Sequence, residues 1–207
     1  AWTHCVRSQA IESRRLVTDQ AVLQAAELQS PRTVLDLGCG EGWLTRKLGR
    51  PGRQVWGVDA SPALIEQARQ HAGDFQVWPY ERLEHWPHRV DCVVANFSLL
   101  GEQSVTQALS AIPKFLDGTL IVQTLHPWTA CPDLPYKNGW RLEHWEGFGD
   151  GFTPTPWFFR TFESWLDELF KADFRLLRVQ EPIHPGTGKP ASLLLIAATR
   201  SQAFQEI

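Results

Sequence analysis

The sequence predicts an α/β fold, a parallel sheet covered by helices on both faces. Short apolar runs alternate with helix-period segments as far as Leu125, which is the pattern of strand–helix–strand units. The central runs, Val90 to Ala95 and Thr119 to Leu125, are apolar without polar alternation, as strands buried on both faces are. A glycine-rich turn at Gly38, Gly40 and Gly42 joins the first run to the helix after it. The 207 residues, 43% hydrophobic and 21% charged, suffice for one core that needs neither disulfides nor a structural metal. A single domain over residues 1–207 is expected, with an N-terminal helical segment to about residue 30 and a Trp-rich cap inserted at about 126–160.

Each element has its own local reason. Ser8 to Leu28 places Ile11, Leu16, Val22, Leu23 and Ala26 on one side and Arg14, Arg15, Asp19 and Glu27 on the other, an amphipathic helix. Thr33 to Leu37 is a β-rich run ending at Gly38. The helix begun at Leu44 is stopped by Gly49, Pro51 and Gly52. Gln54 to Val58 is the second strand. Ser61-Pro62 then opens a helix, because the hydroxyl caps it and proline suits the first helical position. Phe75 to Trp78 and Val90 to Ala95 are the third and fourth strands. A helix over Gln103 to Leu116, disturbed by Pro113, leads into the fifth strand.

The end of the chain changes character. Thr161 to Ala172 is an amphipathic helix, and Phe174 to Glu181 and Ala191 to Thr199 are strands. Pro182 to Pro190 between them holds three prolines and two glycines, so it is a loop and the two strands pair antiparallel. From Leu125 to Thr161 lie about 35 residues rich in Trp, Phe, Pro and Gly, a length more often functional than idle.

Composition excludes several function classes. A net charge of -3 speaks against nucleic acid or an anionic membrane as the main partner. The longest apolar run, Leu193 to Ala198, is one strand and far short of a membrane span. No signal-peptide pattern is seen at the start. The four cysteines, Cys5, Cys39, Cys92 and Cys131, form no C-x-x-C pair, so a reducing, cytoplasmic setting is expected. His85 and His88 have H-x-x-H spacing, but Trp86-Pro87 between them breaks the helix such a metal pair needs; no metal site is expected.

The informative segment is Val34-Leu35-Asp36-Leu37-Gly38-Cys39-Gly40-Glu41-Gly42. Its glycines let the chain turn off a strand and let a ligand approach bare backbone. The second strand ends in Asp59, 21 residues after Gly38, where a carboxylate accepts hydrogen bonds from ribose hydroxyls. A dinucleotide fingerprint would need Gly or Ala at position 43, and Trp43 stands there. The Lys-Ser/Thr pair of a phosphate loop is absent as well. Asp36, two residues before the first glycine, favours a cationic ligand without phosphates.

In Asp36 to Gly42, which reads D-x-G-C-G-x-G, and in Val58-Asp59-Ala60-Ser61-Pro62, the chain resembles the class I S-adenosylmethionine-dependent methyltransferases. It looks most like the small bacterial single-domain members that act on small molecules. The resemblance implies a Rossmann-like, doubly wound seven-stranded sheet of order 3-2-1-4-5-7-6 with the last strand antiparallel. It implies S-adenosylmethionine as cofactor and S-adenosylhomocysteine as product. Gly38, Cys39, Gly40 and Gly42 would line the methionine and ribose part, with Asp36 near the ammonium and Asp59 and Ala60 at the ribose. Many relatives read adenine with an acid after the third strand; here Pro79 takes that place, and Tyr80 is the candidate. Asn96 and Phe97 would sit beside the methionine chain and the reactive methyl. The Asn-Pro-Pro-Tyr motif of many nucleic-acid and protein amine methyltransferases is absent.

The acceptor side is expected beyond strands four and five and in the insert. His126, directly after the fifth strand, is read either as a base or acceptor-orienting group or as a strand-end cap. Trp128, Tyr136, Trp140, Trp145, Trp157 and Phe158 line an aromatic pocket or pack a cap. Arg160 pairs with an anionic substrate group or lies on the surface. Trp2, His4, Arg14 and Arg15 would cover the cofactor from the N-terminal side. The expected function is methyl transfer to a small, aromatic or heterocyclic molecule by a monomer or homodimer, without nucleic-acid or membrane partners. Two alternatives stand: a non-catalytic cofactor-binding module, and a weaker reading as a protein or nucleic-acid methyltransferase.

Overall fold

The computed structural model describes residues 12–28, 30–143 and 155–200, with the backbone alone at Glu143. Among them the strands are β1 (Thr33–Leu37), β2 (Gln54–Asp59), β3 (Asp74–Val77), β4 (Val90–Asn96), β5 (Leu116–Thr124), β6 (Gly139–Glu143), β7 (Thr155–Phe159), β8 (Phe174–Gln180) and β9 (Leu193–Thr199). Seven form one sheet in the order β3-β2-β1-β4-β5-β9-β8, while β6 and β7 pair separately. Leaving out that pair, β8 and β9 are the sixth and seventh strands, and the order is 3-2-1-4-5-7-6 as expected. β1 to β5 pair in parallel; β9 runs antiparallel to both β5 and β8. The Pro/Gly-rich loop closes the β8–β9 hairpin through His184 N–H to the Lys189 carbonyl and Gly188 N–H to the His184 carbonyl.

The helices are α1 (Asp19–Glu27), entered through a π-helical turn at Arg14–Thr18, then α2 (Trp43–Leu48), α3 (Pro62–Ala68), α4 (Gln103–Ala111) and α5 (Phe162–Lys171). Ser61 Oγ accepts the Leu64 N–H and Pro62 opens α3; Thr161 Oγ1 caps α5 through the Ser164 N–H. The helix expected to reach Leu116 stops at Ala111. Pro113 lacks the N–H to continue it, so the chain tightens into a 3-10 turn at Ile112–Lys114, and Leu116 begins β5 instead.

Strand alternation builds two cores, one on each face of the sheet. Leu35, Leu37, Val93, Ala95, Leu120, Val122 and Leu195 face α4 and α5, meeting Val105, Leu109, Trp165 and Leu169. Val34, Val55, Cys92, Val94, Ile121, Leu194 and Ile196 face α1 and α2, meeting Val22, Ala26, Leu44 and Leu48. Both faces being covered is why these strands read as unbroken apolar runs. A third, smaller cluster joins α3 to β3 through Ile65, Ala68, Phe75 and Cys39. No helix among the described residues is long and apolar enough to cross a membrane.

The insert contains a ladder that its composition concealed. β6 and β7 pair antiparallel from Gly139 opposite Phe159 to Glu143 opposite Thr155. Trp157 and Phe159 are buried, whereas Trp140 and Leu142 are exposed. The ring of Phe75 occupies the space a Cβ would need at Gly42 (2.4 Å) and Gly57 (2.8 Å), so β3, β2 and the β1–α2 turn interlock on one side chain. Phe75→Ala leaves a cavity at that junction and is expected to lower the unfolding free energy by about 3–5 kcal/mol, read by urea titration.

Candidate functional site

The glycine turn after β1 is fastened to the end of β2. The N–H groups of Gly38 and Cys39 both donate to the Val58 carbonyl, at 2.8 and 2.9 Å. The Gly40 N–H donates to Asp59 Oδ2 at 3.0 Å, and the Ser61 N–H to Asp59 Oδ1 at 2.8 Å. Each carboxylate oxygen is thereby fixed and still keeps a lone pair for another donor. Asp59 lines a cavity of about 430 Å³ together with Gly38, Cys39, Gly40, Ala60, Tyr80, Asn96 and Phe97, all expected at one site. Arg14, Glu41, Trp43, Leu64, Glu81, Ser98 and Ser104 complete the lining. Gly40, at φ +58°, is bare toward open space: a Cβ there would meet nothing within 4 Å.

The segment after β4 forms the opposite wall. Phe97 sits at φ +51°, rare for a bulky residue, and its N–H extends the β4–β5 ladder to the Gln123 carbonyl at 2.7 Å. Ser98 Oγ donates to the Leu37 carbonyl at 2.6 Å, and Tyr80 donates its hydroxyl to the Ser98 carbonyl at 3.1 Å. Burial pushes the Tyr80 phenol up, so it remains a donor. Gly38 exists for this approach, since a Cβ would stand 2.3 Å from Ser98 Cβ. Gln123 donates to Asn96 Oδ1 at 2.8 Å, which orients that amide and leaves its NH2 to the cavity.

Arg14 covers the N-terminal side. Its Nε donates to Asp19 Oδ1 at 3.0 Å and its guanidinium lies over the Trp43 ring at 4.7 Å. Its Nη2 is buried without a hydrogen-bond partner, while the residue as a whole lines the cavity. Arg15, expected beside it, is exposed and does not line the cavity.

Other expected residues lie elsewhere. Asp36 is only 1% exposed, accepts the Thr45 hydroxyl at 2.6 Å and stands beneath the turn, outside the cavity lining. Gly42 likewise does not line the cavity; it makes room for Phe75. His126 is 3% exposed, with Nε2 on Glu181 Oε1 at 2.8 Å and Nδ1 accepting the Trp128 N–H at 3.3 Å. Both ring nitrogens thus have partners, and His126 is not in the cavity lining.

The aromatic residues of the insert pack among themselves, and its Arg160 reaches out of it. Trp128, 66% exposed, stacks on Tyr136 at 4.1 Å, and Tyr136 accepts the Phe162 N–H. Trp157 packs against Phe159, and Trp140 meets Phe158 edge-on at 5.6 Å. Arg160 is 4% exposed, donating to the Gly101 and Glu102 carbonyls at 2.7 and 2.6 Å. None of these residues lines the cavity. Trp2, His4 and Trp145 lie outside the described residues.

Cys39 is small filler: its thiol leans on the Gly40 carbonyl and burial pushes it up, away from a thiolate. His88 stacks on Trp56 at 4.7 Å, and among the described residues no group of His, Cys, Asp and Glu is placed to hold a metal ion.

Burial pushes the Asp36 carboxyl from 3.8 up to about 7, the nearby Asp59 adds to the shift, and the Thr45 hydrogen bond pulls against it. The folded chain therefore holds this proton more tightly than the unfolded one. The carboxyl's contribution to stability falls as pH rises between about 4 and about 7, and is level above. Asp36→Asn keeps an acceptor for Thr45 and is expected to remove that slope, at most about 1.4 kcal/mol per pH unit, in urea titrations across this range.

Residues 34–117 match the family model described as a methyltransferase domain. A malonyl-[acyl-carrier protein] O-methyltransferase of Legionella pneumophila is 31% identical over 109 residues, 48% of this chain and 38% of that protein. The chain thus spans well under half of that relative's length. Among solved structures, an S-adenosylmethionine-dependent methyltransferase from Mesorhizobium loti superposes with a TM-score of 0.67 at 20% identity, covering 86% of this chain and 95% of that one. A magnesium protoporphyrin IX methyltransferase from Synechocystis with bound S-adenosylhomocysteine gives 0.61 at 20% identity, covering 87% and 81%. Residues 34–117 thus carry the similarity to a methyltransferase domain, and the fold over most of the chain is the one seen in S-adenosylmethionine-dependent methyltransferases of known structure.

Proposed function

We propose that this methyltransferase domain binds S-adenosylmethionine in the cavity of about 430 Å³ and transfers its methyl group to a small molecule. The observation that carries the reading is the Asp59 carboxylate, held by two backbone N–H groups with a lone pair free on each oxygen, beside the bare face of Gly40. That arrangement fits a ribose diol. The Arg14 guanidinium in the same lining fits the carboxylate of the methionine part. Asn96, oriented by Gln123, offers its amide to the same chain.

When bound, the sulfonium supplies a methyl group that is already electrophilic. The protein's own contribution is alignment, because in-line displacement gains most from holding donor and acceptor in register. The carboxylates of Asp59, Glu41 and Glu81 in the lining favour a cationic ligand over the phosphates of a dinucleotide. An aromatic or heterocyclic acceptor has less support than a small molecule in general, since the aromatic residues of the insert stack on one another. The names of relatives include a protein-bound acyl group as well as free small molecules such as trans-aconitate.

Calorimetric titration tests the reading. S-adenosylmethionine and S-adenosylhomocysteine are expected to bind at micromolar Kd and NADH not at all; the reverse, or silence from all three, sinks it. Formation of S-adenosylhomocysteine with any small acceptor separates an enzyme from a binding module. Asp59→Ala removes hydrogen bonds to a charged group and is expected to weaken S-adenosylhomocysteine at least about tenfold. Arg14→Leu is expected to weaken S-adenosylhomocysteine by a similar factor and leave methylthioadenosine, which has no carboxylate, unchanged. Equal losses for both ligands would remove Arg14 from that role.

A further inference from the structure

The geometry points to Arg160 as a positioning residue for the cavity wall formed by residues 97–104, an inference that rests on the methyl-transfer reading and deepens it. Arg160 follows β7 directly and is almost wholly buried, its guanidinium between the Phe158 and Trp165 rings at 4.9 and 5.4 Å. A buried guanidinium ordinarily finds a carboxylate. Here Nη1 and Nη2 instead donate to two successive carbonyls, Gly101 and Glu102, at 2.7 and 2.6 Å. The fork of two donors fixes direction as well as distance, which a single ammonium does not. Those carbonyls lie between Ser98 and Ser104, both in the cavity lining, and Glu102 is the residue from which α4 starts. The neighbouring Phe158 N–H donates to the Leu100 carbonyl at 2.8 Å, so three consecutive carbonyls are held by one edge of the insert.

The same wall carries the strained Phe97 and the close approach of Ser98 to Gly38. Displacing a wall this tightly packed moves atoms that face the ligand, and a shift of about 1 Å at a binding or reacting centre is costly. Arg160 thus acts on the cavity without lining it, through the backbone of residues 101 and 102.

The test compares Arg160→Met, which keeps an apolar stem between the rings and removes both donors, with Arg160→Lys, which keeps the charge on a single group. The Kd of S-adenosylhomocysteine is expected to rise on the order of tenfold in Arg160→Met and less in Arg160→Lys. Amide hydrogen exchange is expected to quicken at residues 97–104 and not in β1 or β2. A lower melting temperature with unchanged Kd and unchanged exchange at the wall overturns the inference and leaves Arg160 a strut for the insert. Should Arg160→Met fail to fold, the same two measurements on Arg160→Lys decide. The exchange arm needs no ligand: a wild-type protein that binds no S-adenosylhomocysteine defeats the methyl-transfer reading, while quickened exchange at 97–104 still upholds Arg160 as the residue that holds that wall.

Discussion

The site depends on the parallel pairing of β1 with β2, in register to its last residues. Leu37 lies opposite Val58, so Gly38 and Asp59 leave the sheet side by side. The Val58 carbonyl then takes two N–H groups from the turn, and the Asp59 carboxylate takes a third. A three-glycine turn is floppy by itself; tied at three successive N–H groups, it becomes a fixed surface. On the other side β1 pairs with β4, with Asp36 opposite Val94, which brings Ser98 onto the Leu37 carbonyl. The strand order reverses at β1, and the cavity opens there, at the carboxyl ends of the strands.

Around this point the interior carries polar groups that the apolar cores cannot solvate. Asp36 meets the problem by holding its proton, with one hydroxyl as partner. Gln123 meets it by a network: its amide NH2 donates to Asn96 and to the Thr18 carbonyl, and its oxygen faces Ser192. That network links β4, β5, the residue before β9 and the turn before α1, and it orients an amide in the cavity lining as a consequence of satisfying the core. Polar order in the interior and order at the site are here the same hydrogen bonds.

The parts of the fold that were legible in the sequence are those set by local chemistry. The parallel sheet followed from alternation of elements, and the antiparallel last pair from a proline-rich loop too short and stiff for a crossover; the strand order itself came with the resemblance to the family. The turn and its acid, Asp59, followed from glycine spacing and strand length. Arg14 was expected from the N-terminal side, whereas Ser98 and Ser104 were harder to find as lining residues because each arrives by tertiary packing, with no shared spacing. The burial of Asp36 outside the lining was hidden for a related reason: its position before the first glycine is visible, but its contact with Thr45 needs the neighbouring helix. For His126 and Arg160 the sequence left a chemical and a plain structural reading open, because their partners, Glu181 and two backbone carbonyls, lie about 55–60 residues away in sequence.

The insert shows why residue type alone decides little. Trp, Tyr and Phe serve equally to line a pocket and to pack a ladder, and alternation separates the two roles only once the strand is known. Trp157 and Phe159 point inward from β7, while Phe158 between them reaches the arginine that grips the wall after β4. The wall of the cavity is consequently completed by a segment about 60 residues downstream of it. The glycine turn and Asp59 are fixed by the sheet, whereas the opposite wall is held from the insert. The two sides meet where Ser98 bonds the Leu37 carbonyl and packs on Gly38, so a change in the insert that shifts the 97–104 wall bears on the turn through that contact.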